Sequence, residues 1–245
     1  MPPSITLYTN HGCPYAHRAH IALKESGLEF EEVIIDLDKP REPWYLEVNP
    51  RGLVPALKYS DDTLKDEIIT ESAVVAQFIA DVKPTTLLPA SNSSPTAALE
   101  RARINYFVDT WNTKIGSFMF AMFRAGSDEE KEIKSKEWVA AVQKEIEPLL
   151  KNASPFFNGS KELTLAEVNI APFLLRIYAL SNGDILPQSV KAGLEKLPKF
   201  SKWANATMSS ESVLTIWDEE TVVSRTSARI QKMKAQANRT TNGHK

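Results

Sequence analysis

The chain carries one cysteine, Cys13, among its 245 residues. A lone thiol cannot close an internal disulfide, which fits a reducing compartment. Long apolar runs are missing as well, so a transmembrane span is excluded. The N-terminus, Met1-Pro2-Pro3-Ser4, runs straight into a β-type segment and leaves no room for a secretory signal. Charge of one sign is not in excess: 29 Lys and Arg against 31 Asp and Glu leave a formal net charge of −2. That balance argues against a dominant nucleic-acid role. No internal repeat is present. Together these absences make the cytoplasm the expected location, with neither a membrane nor a nucleic acid as partner. What remains is globular in composition, 42% apolar and 24% charged. It suffices for one large domain or two small ones with buried cores, and it excludes wholesale disorder.

Residues 1–82 alternate strand and helix signals. Ile5 to Thr9 reads as a strand, and Pro14 to Ser26 as a helix closed by Gly27. Val33-Ile34-Ile35 is β-branched and reads as a buried strand. A short helix near Pro43 to Val48 leads into the turn Asn49-Pro50-Arg51-Gly52. Strand character resumes over Pro55 to Tyr59, and Asp61-Asp62 predicts a hairpin turn ahead of Thr63-Leu64. Ser72 to Val82 is a helix, with Val74, Val75, Phe78, Ile79 and Val82 at helical spacing. This order implies one small sheet flanked by helices. Residues 83–94 are linker-like, rich in Pro, Ser and Thr. From residue 95 to 220 every strong signal is helical, with long runs over about Thr96 to Arg124 and Asp128 to Lys151. Residues 221–245 carry six Lys and Arg and no acid; a helix near Thr221 followed by a partly disordered basic tail is expected.

Cys13 stands where the first strand hands over to the first helix, in Asn10-His11-Gly12-Cys13-Pro14-Tyr15-Ala16-His17. The unsatisfied N–H groups and the dipole at a helix start favour the anionic, reactive form of cysteine. Pro14 suits the first helical turn, where its missing N–H is no loss. A lone intracellular cysteine is more often a buried apolar filler; the flanking Gly12 and Pro14 reverse that expectation. Ala16 stands where a resolving cysteine would be, which predicts monothiol chemistry. His11, Cys13, His17 and His20 lie close in sequence, but four ligands from one helical turn and its lead-in cannot readily converge. No metal is therefore expected.

The cysteine motif, Asn49-Pro50-x-Gly52-x-Val54-Pro55, Glu71-Ser72, the linker and Thr164-Leu165-Ala166-Glu167 occur in an order and spacing that resembles a cytosolic glutathione transferase. The Cys-Pro-Tyr-Ala form is most like the omega class and its fungal relatives, over roughly residues 4 to 217. The resemblance implies an α/β plus all-α fold: an N-terminal thioredoxin-like domain, then an all-helical C-terminal domain. It implies glutathione as co-substrate, and Cys13 as the catalytic thiol forming a mixed disulfide with it. It implies a cis Pro55, with the Val54 backbone pairing with the cysteinyl part of glutathione. Glu71 and Ser72 take the γ-glutamyl end, and Arg41 the glycyl carboxylate. Ser72 also reads as a helix N-cap, and Glu71 and Arg41 equally read as solvated charges. The acceptor pocket would be lined by Pro14, Tyr15, Tyr106, Arg124, Arg176 and Trp217, several of which equally read as core. Thr164-x-x-Glu167 is a capping box and speaks to fold rather than catalysis.

The activity implied is that of a thioltransferase or dehydroascorbate-type reductase on small electrophilic, oxidised or glutathionylated acceptors, in a homodimer. Two alternatives stay open: a lyase or glutathionyl-conjugate reductase for aromatic substrates, and a non-catalytic glutathione-binding protein.

Overall fold

The structure is a computed structural model and describes residues 2–242. Strand β1 (Ser4–Thr9) buries Ile5 and Leu7 on alternate positions and is central to a four-stranded sheet of order β2-β1-β3-β4. β2 (Glu31–Ile34) runs parallel to β1; β3 (Ala56–Ser60) pairs antiparallel with β1, and β4 (Glu67–Thr70) antiparallel with β3. Helix α1 (Pro14–Ser26) opens with proline in its first turn and closes on Gly27 in the left-handed region, φ 58°. The Leu28 N–H donates to the Leu23 carbonyl and the Gly27 N–H to that of Lys24, the pair of bonds that lets glycine terminate a helix. Helix α2 (Pro43–Val48) follows β2, and α3 (Ser72–Val82) packs against α1.

The remaining elements are helical: α4 (Ala97–Thr110), α5 (Phe118–Phe123), α6 (Asp128–Ala141), α7 (Leu165–Leu180), α8 (Gln188–Leu194), α9 (Pro198–Met208), α10 (Glu211–Leu214) and α11 (Glu219–Asn242). A thioredoxin-like α/β segment followed by helices is thus the architecture. By contact density the chain forms two compact units. The first gathers Met1–Val108, Asn152–Phe173 and Trp203–Trp217; the second gathers Asp109–Lys151, Leu174–Lys202 and Asp218–Lys245. In the first, Glu167 is fully buried and its carboxylate accepts from Thr164 N, Thr164 Oγ1, Phe157 N and Trp203 Nε1. In the second, Phe118 stacks on Trp138 at 6.2 Å between ring centroids. Among the described residues no helix is long and apolar enough to cross a membrane.

Four details depart from the sequence reading. Val33-Ile34-Ile35 is not a buried strand: β2 is a sheet edge, and Ile34 is 58% exposed. The hairpin turn extends to Asp66, so β4 begins beyond Thr63-Leu64; Asp61 Oδ1 holds that longer turn by accepting from Thr63 N and Leu64 N, both at 2.7 Å. The long helical runs are interrupted by π-helical turns at Trp111–Ile115 and Val142–Ile146. The basic segment is helical to Asn242 rather than a tail. Asp218 starts that helix, accepting from Thr221 N at 3.0 Å and Thr221 Oγ1 at 2.7 Å, and neither Pro nor Gly interrupts it. Residues 243–245 of the expected tail lie outside the described residues.

Candidate active site

After β1 the chain turns through Asn10. Its side chain accepts from Gly12 N at 3.0 Å and donates to the Ile35 carbonyl at 2.9 Å, while its own carbonyl accepts from Cys13 N at 3.0 Å. Cys13 is therefore held as the N-cap of α1 in an extended conformation, with its carbonyl accepting from His17 N. No acidic side chain occupies the first turn, so the positive end of the helix is left to act on whatever anion stands there. The sulfur is half-buried against the cluster of Tyr8, Ala16, Ile35, Tyr45, Val54 and Ala56. It lies 3.9 Å from the Val54 carbonyl oxygen. Pro14 is the first helical residue, as expected.

The Val54–Pro55 peptide bond is cis. The approach to it is braced: the Leu53 carbonyl accepts from Tyr45 Oη at 2.5 Å and from Asn49 Nδ2 at 2.8 Å. Burial, chiefly, pushes the Tyr45 phenol up to about 12, so it stays a donor. Gly52 sits at φ +62°, and a Cβ there would lie 3.0 Å from Arg41 Cγ. Arg41 itself donates to the carbonyls of Gly52 (2.9 Å), Asp36 and Lys39 (both 2.6 Å), with a longer contact to Leu37 (3.4 Å). Its guanidinium therefore clamps the loop after β2 to the Asn49–Gly52 turn.

Ser72 is the first residue of α3 rather than its cap; the N-cap is Glu71, which makes no side-chain capping bond. Glu71 adopts φ 67°, ψ 115°, a sparsely populated conformation for a residue with a Cβ and one characteristic of ligand clamps. Its carboxylate pairs with Arg51, and both side chains are exposed. The Ser72 hydroxyl is buried and accepts from Arg18 NH1 at 3.1 Å. Arg18 also donates through Nε to the Asn169 carbonyl at 2.8 Å and lies over the rings of Tyr15 (5.3 Å) and Phe173 (5.0 Å). Burial pulls its pKa down to about 10, opposed by the charges of Tyr15 and then Cys13; it remains a cation at neutral pH. With Arg18 donating into it, the Ser72 oxygen keeps its own hydrogen for another acceptor.

Cys13 and Val54 are thus brought into contact, and Ser72 is tied to α1 through Arg18, a residue sequence reasoning missed. Its signal was an arginine on the helix face that carries the buried Ala19 and Ala22. Arg51, partner of Glu71, was missed inside the turn motif. Of the acceptor-pocket residues, Tyr15 is exposed and edge-on to Phe173 at 5.2 Å. Tyr106 is 60% exposed on α4 and Trp217 is half-buried after α10, both in the first unit. Arg124, exposed at the end of α5, and Arg176, buried on α7, belong to the second. The four residues weighed for metal binding diverge: His17 Nε2 bonds the Val213 carbonyl at 2.9 Å, whereas His11 and His20 meet Glu32 of β2.

Comparison with known proteins adds a second line of observation. Residues 12–82 match the family model described as the glutathione S-transferase N-terminal domain. Rat glutathione S-transferase omega-1 is 27% identical over 213 residues, covering 85% of this chain and 78% of that protein. The crystal structure of glutathione transferase Omega 1C from Trametes versicolor superposes with a TM-score of 0.79 at 30% identity, covering 94% of this chain and 98% of that one. Omega 2S from the same fungus, solved with 2,4-dihydroxybenzophenone, is 28% identical with a TM-score of 0.75, covering 93% and 100%.

Proposed function

The chain belongs to the glutathione transferase family, in its omega-like branch, and from that premise we propose that it is a glutathione-dependent thioltransferase working through Cys13. The observation that carries this reading is the seat of the sulfur, at the start of α1 with no acid in the first turn and the Val54 carbonyl beside it. The Cys13 thiolate attacks the glutathionyl sulfur of a mixed disulfide RS–SG. A Cys13–SG bond forms, the RS–SG bond breaks, and RS⁻ leaves to take up a proton. A second glutathione thiolate then attacks the same glutathionyl sulfur, giving oxidised glutathione and restoring the Cys13 thiolate. One thiol enters as glutathione and one leaves as RSH while the disulfide passes from RS–SG to oxidised glutathione, so the exchange balances without a further oxidant.

Ala16, wholly buried in the core beside Cys13, supports the monothiol course, since no second sulfur is there to resolve the intermediate. In this reading the Val54 backbone holds the cysteinyl part of glutathione and Ser72 donates to the γ-glutamyl carboxylate. Glu71 offers a partner for the ammonium. Arg41 adds its charge at the glycyl end while holding the loop. Pro14, Tyr15, Tyr106 and Trp217, all of the first unit, are the residues assigned to the acceptor.

The decisive experiment is intact-mass measurement after incubation with oxidised glutathione. The wild type gains one glutathionyl adduct that glutathione removes, and Cys13→Ser gains none and loses reductase turnover. An unchanged reductase rate in Cys13→Ser overturns the assignment. Aromatic acceptors form a second reading, favoured by the benzophenone bound to the Trametes omega 2S relative. Parallel assays with a glutathionylated peptide, dehydroascorbate and a phenacyl-glutathione conjugate rank the two. A cytoplasmic homodimer is the expected form, and sedimentation equilibrium of the purified protein tests the dimer.

A further inference from the structure

We propose that His11, His20 and Glu32 form a binding site for a divalent cation of the zinc type, beside the catalytic loop and distinct from the glutathione site. The three residues come from the loop after β1, from α1 and from β2, and their ligand atoms all lie within 4.8 Å of one another. Glu32 faces both histidines, one oxygen to each: Oε2 is 2.7 Å from His11 Nε2, and Oε1 is 3.9 Å from His20 Nδ1. The second distance is too long for a hydrogen bond. His20 is 3% exposed, and its other nitrogen, Nε2, is engaged at 2.8 Å by the hydroxyl of Thr9, itself fully buried.

That last contact gives the cluster the character of a site. A metal-binding histidine characteristically hands its second ring N–H to a fixed oxygen, which sets the tautomer and the ring orientation. In the tautomer that donates Nε2–H to Thr9 Oγ1, which metal binding at Nδ1 would select, the Nδ1 lone pair is on the Glu32 side. Two imidazoles and a carboxylate are a recurrent zinc donor set, and they also suit copper and nickel. At metal–ligand distances of about 2.0–2.2 Å, tetrahedral donors lie roughly 3.4 Å apart. The adjustments needed here, about 1 Å, fall mainly on the exposed side chains of His11 and Glu32. A cation bound there staples the loop carrying His11 to α1 and β2, two positions from the reactive sulfur.

The test uses the full chain stripped with chelator, titrated with Zn²⁺ by calorimetry and metal analysis, and with Co²⁺ by optical spectroscopy. One Zn²⁺ per chain is expected in the wild type and equally in Cys13→Ser. The affinity should fall at least ~10-fold, the scale of lost coordination support, in His11→Ala and in Glu32→Gln. His20→Gln keeps a donor for Thr9 while removing Nδ1 and should also lose the site; if it fails to fold, the two exposed variants decide. The Co²⁺ spectrum should lack the intense near-ultraviolet band of a thiolate ligand. Three results overturn the proposal: no stoichiometric uptake, uptake indifferent to both His11→Ala and Glu32→Gln, or uptake abolished by Cys13→Ser with a thiolate band present.

Discussion

At the scale of single residues the site depends on a buried cation that touches no reacting atom. Arg18 stays charged despite its burial because it donates to the Ser72 hydroxyl and the Asn169 carbonyl and lies over two aromatic rings. Replacing it with Met removes a charge-assisted donor and leaves the Ser72 hydroxyl free to turn. We expect the KM for glutathione to rise roughly 10-fold with kcat changed far less, the equivalent of one hydrogen bond of about 1.4 kcal/mol. Arg18→Lys should rescue little, because an ammonium lacks the fork that spans two acceptors. Steady-state kinetics at saturating acceptor check both; equal losses in kcat and kcat/KM would place Arg18 in the chemical step instead. His20 gives a separate prediction. Burial, above all, pushes its imidazole down to about 4, Glu32 opposing and His11 adding to the shift. In the unfolded chain it titrates near the ordinary ~6.5. Between those values the unfolded state binds a proton that the folded state refuses, so stability is full above about pH 6.5 and declines towards pH 4. The loss approaches ~3 kcal/mol. Urea midpoints measured with chelator present should show that slope in the wild type and a flatter one in His20→Gln.

At the scale of elements, the turn before Pro55 is the most exacting piece of backbone near the site. Gly52 holds a positive φ, its carbonyl receives Arg41 Nε, and a Cβ would press on Arg41 Cγ at 3.0 Å and Leu46 Cδ2 at 3.3 Å. Gly52→Ala should therefore destabilise the fold by about 1–3 kcal/mol. It should also weaken glutathione binding, because displacing Arg41 loosens both the Asp36–Lys39 loop and the Leu53 approach to Val54. Thermal unfolding and glutathione calorimetry test this; a variant with native melting and native affinity would remove the turn from the argument. The glycine and the Asn49 side chain were legible as a turn, since both residue types have a mechanism for making one. The clamp by Arg41 was not, because a loop arginine has the same appearance in sequence whether it meets solvent, a ligand or backbone carbonyls. The same divide runs through Thr164-x-x-Glu167. The reciprocal cap is a local pattern and was read as such. The additional bonds to Phe157 N and Trp203 Nε1 join segments that no spacing rule connects.

At the scale of the whole chain, composition and contact draw different lines. Residues 83–94 read as a linker, yet Leu87 and Leu88 are fully or almost fully buried and the Leu87 carbonyl accepts from Leu165 N at 2.8 Å. The first compact unit continues past that stretch and takes in Asn152–Phe173 and Trp203–Trp217. Periodicity could not reveal this, since it reports which face of an element is buried and not which distant element covers it. The consequence is testable. A fragment of residues 1–94 retains every strand but loses the Asn169 carbonyl that receives Arg18, the Val213 carbonyl that receives His17, and the partner of Leu87. Each buried polar group stranded in this way costs about 1–3 kcal/mol, and each exposed leucine about 1.5–3 kcal/mol. Their sum rivals the ~5–15 kcal/mol that holds a domain together. The fragment alone should accordingly show no cooperative urea transition by circular dichroism and little amide protection. Co-expression with residues 95–245 should restore both, because the missing acceptors and apolar cover are supplied by a second chain as well as by a continuous one. A sigmoidal transition in the isolated fragment would mean that the sheet and its three helices suffice, and that Arg18 and His17 find water as good a partner as Asn169 and Val213.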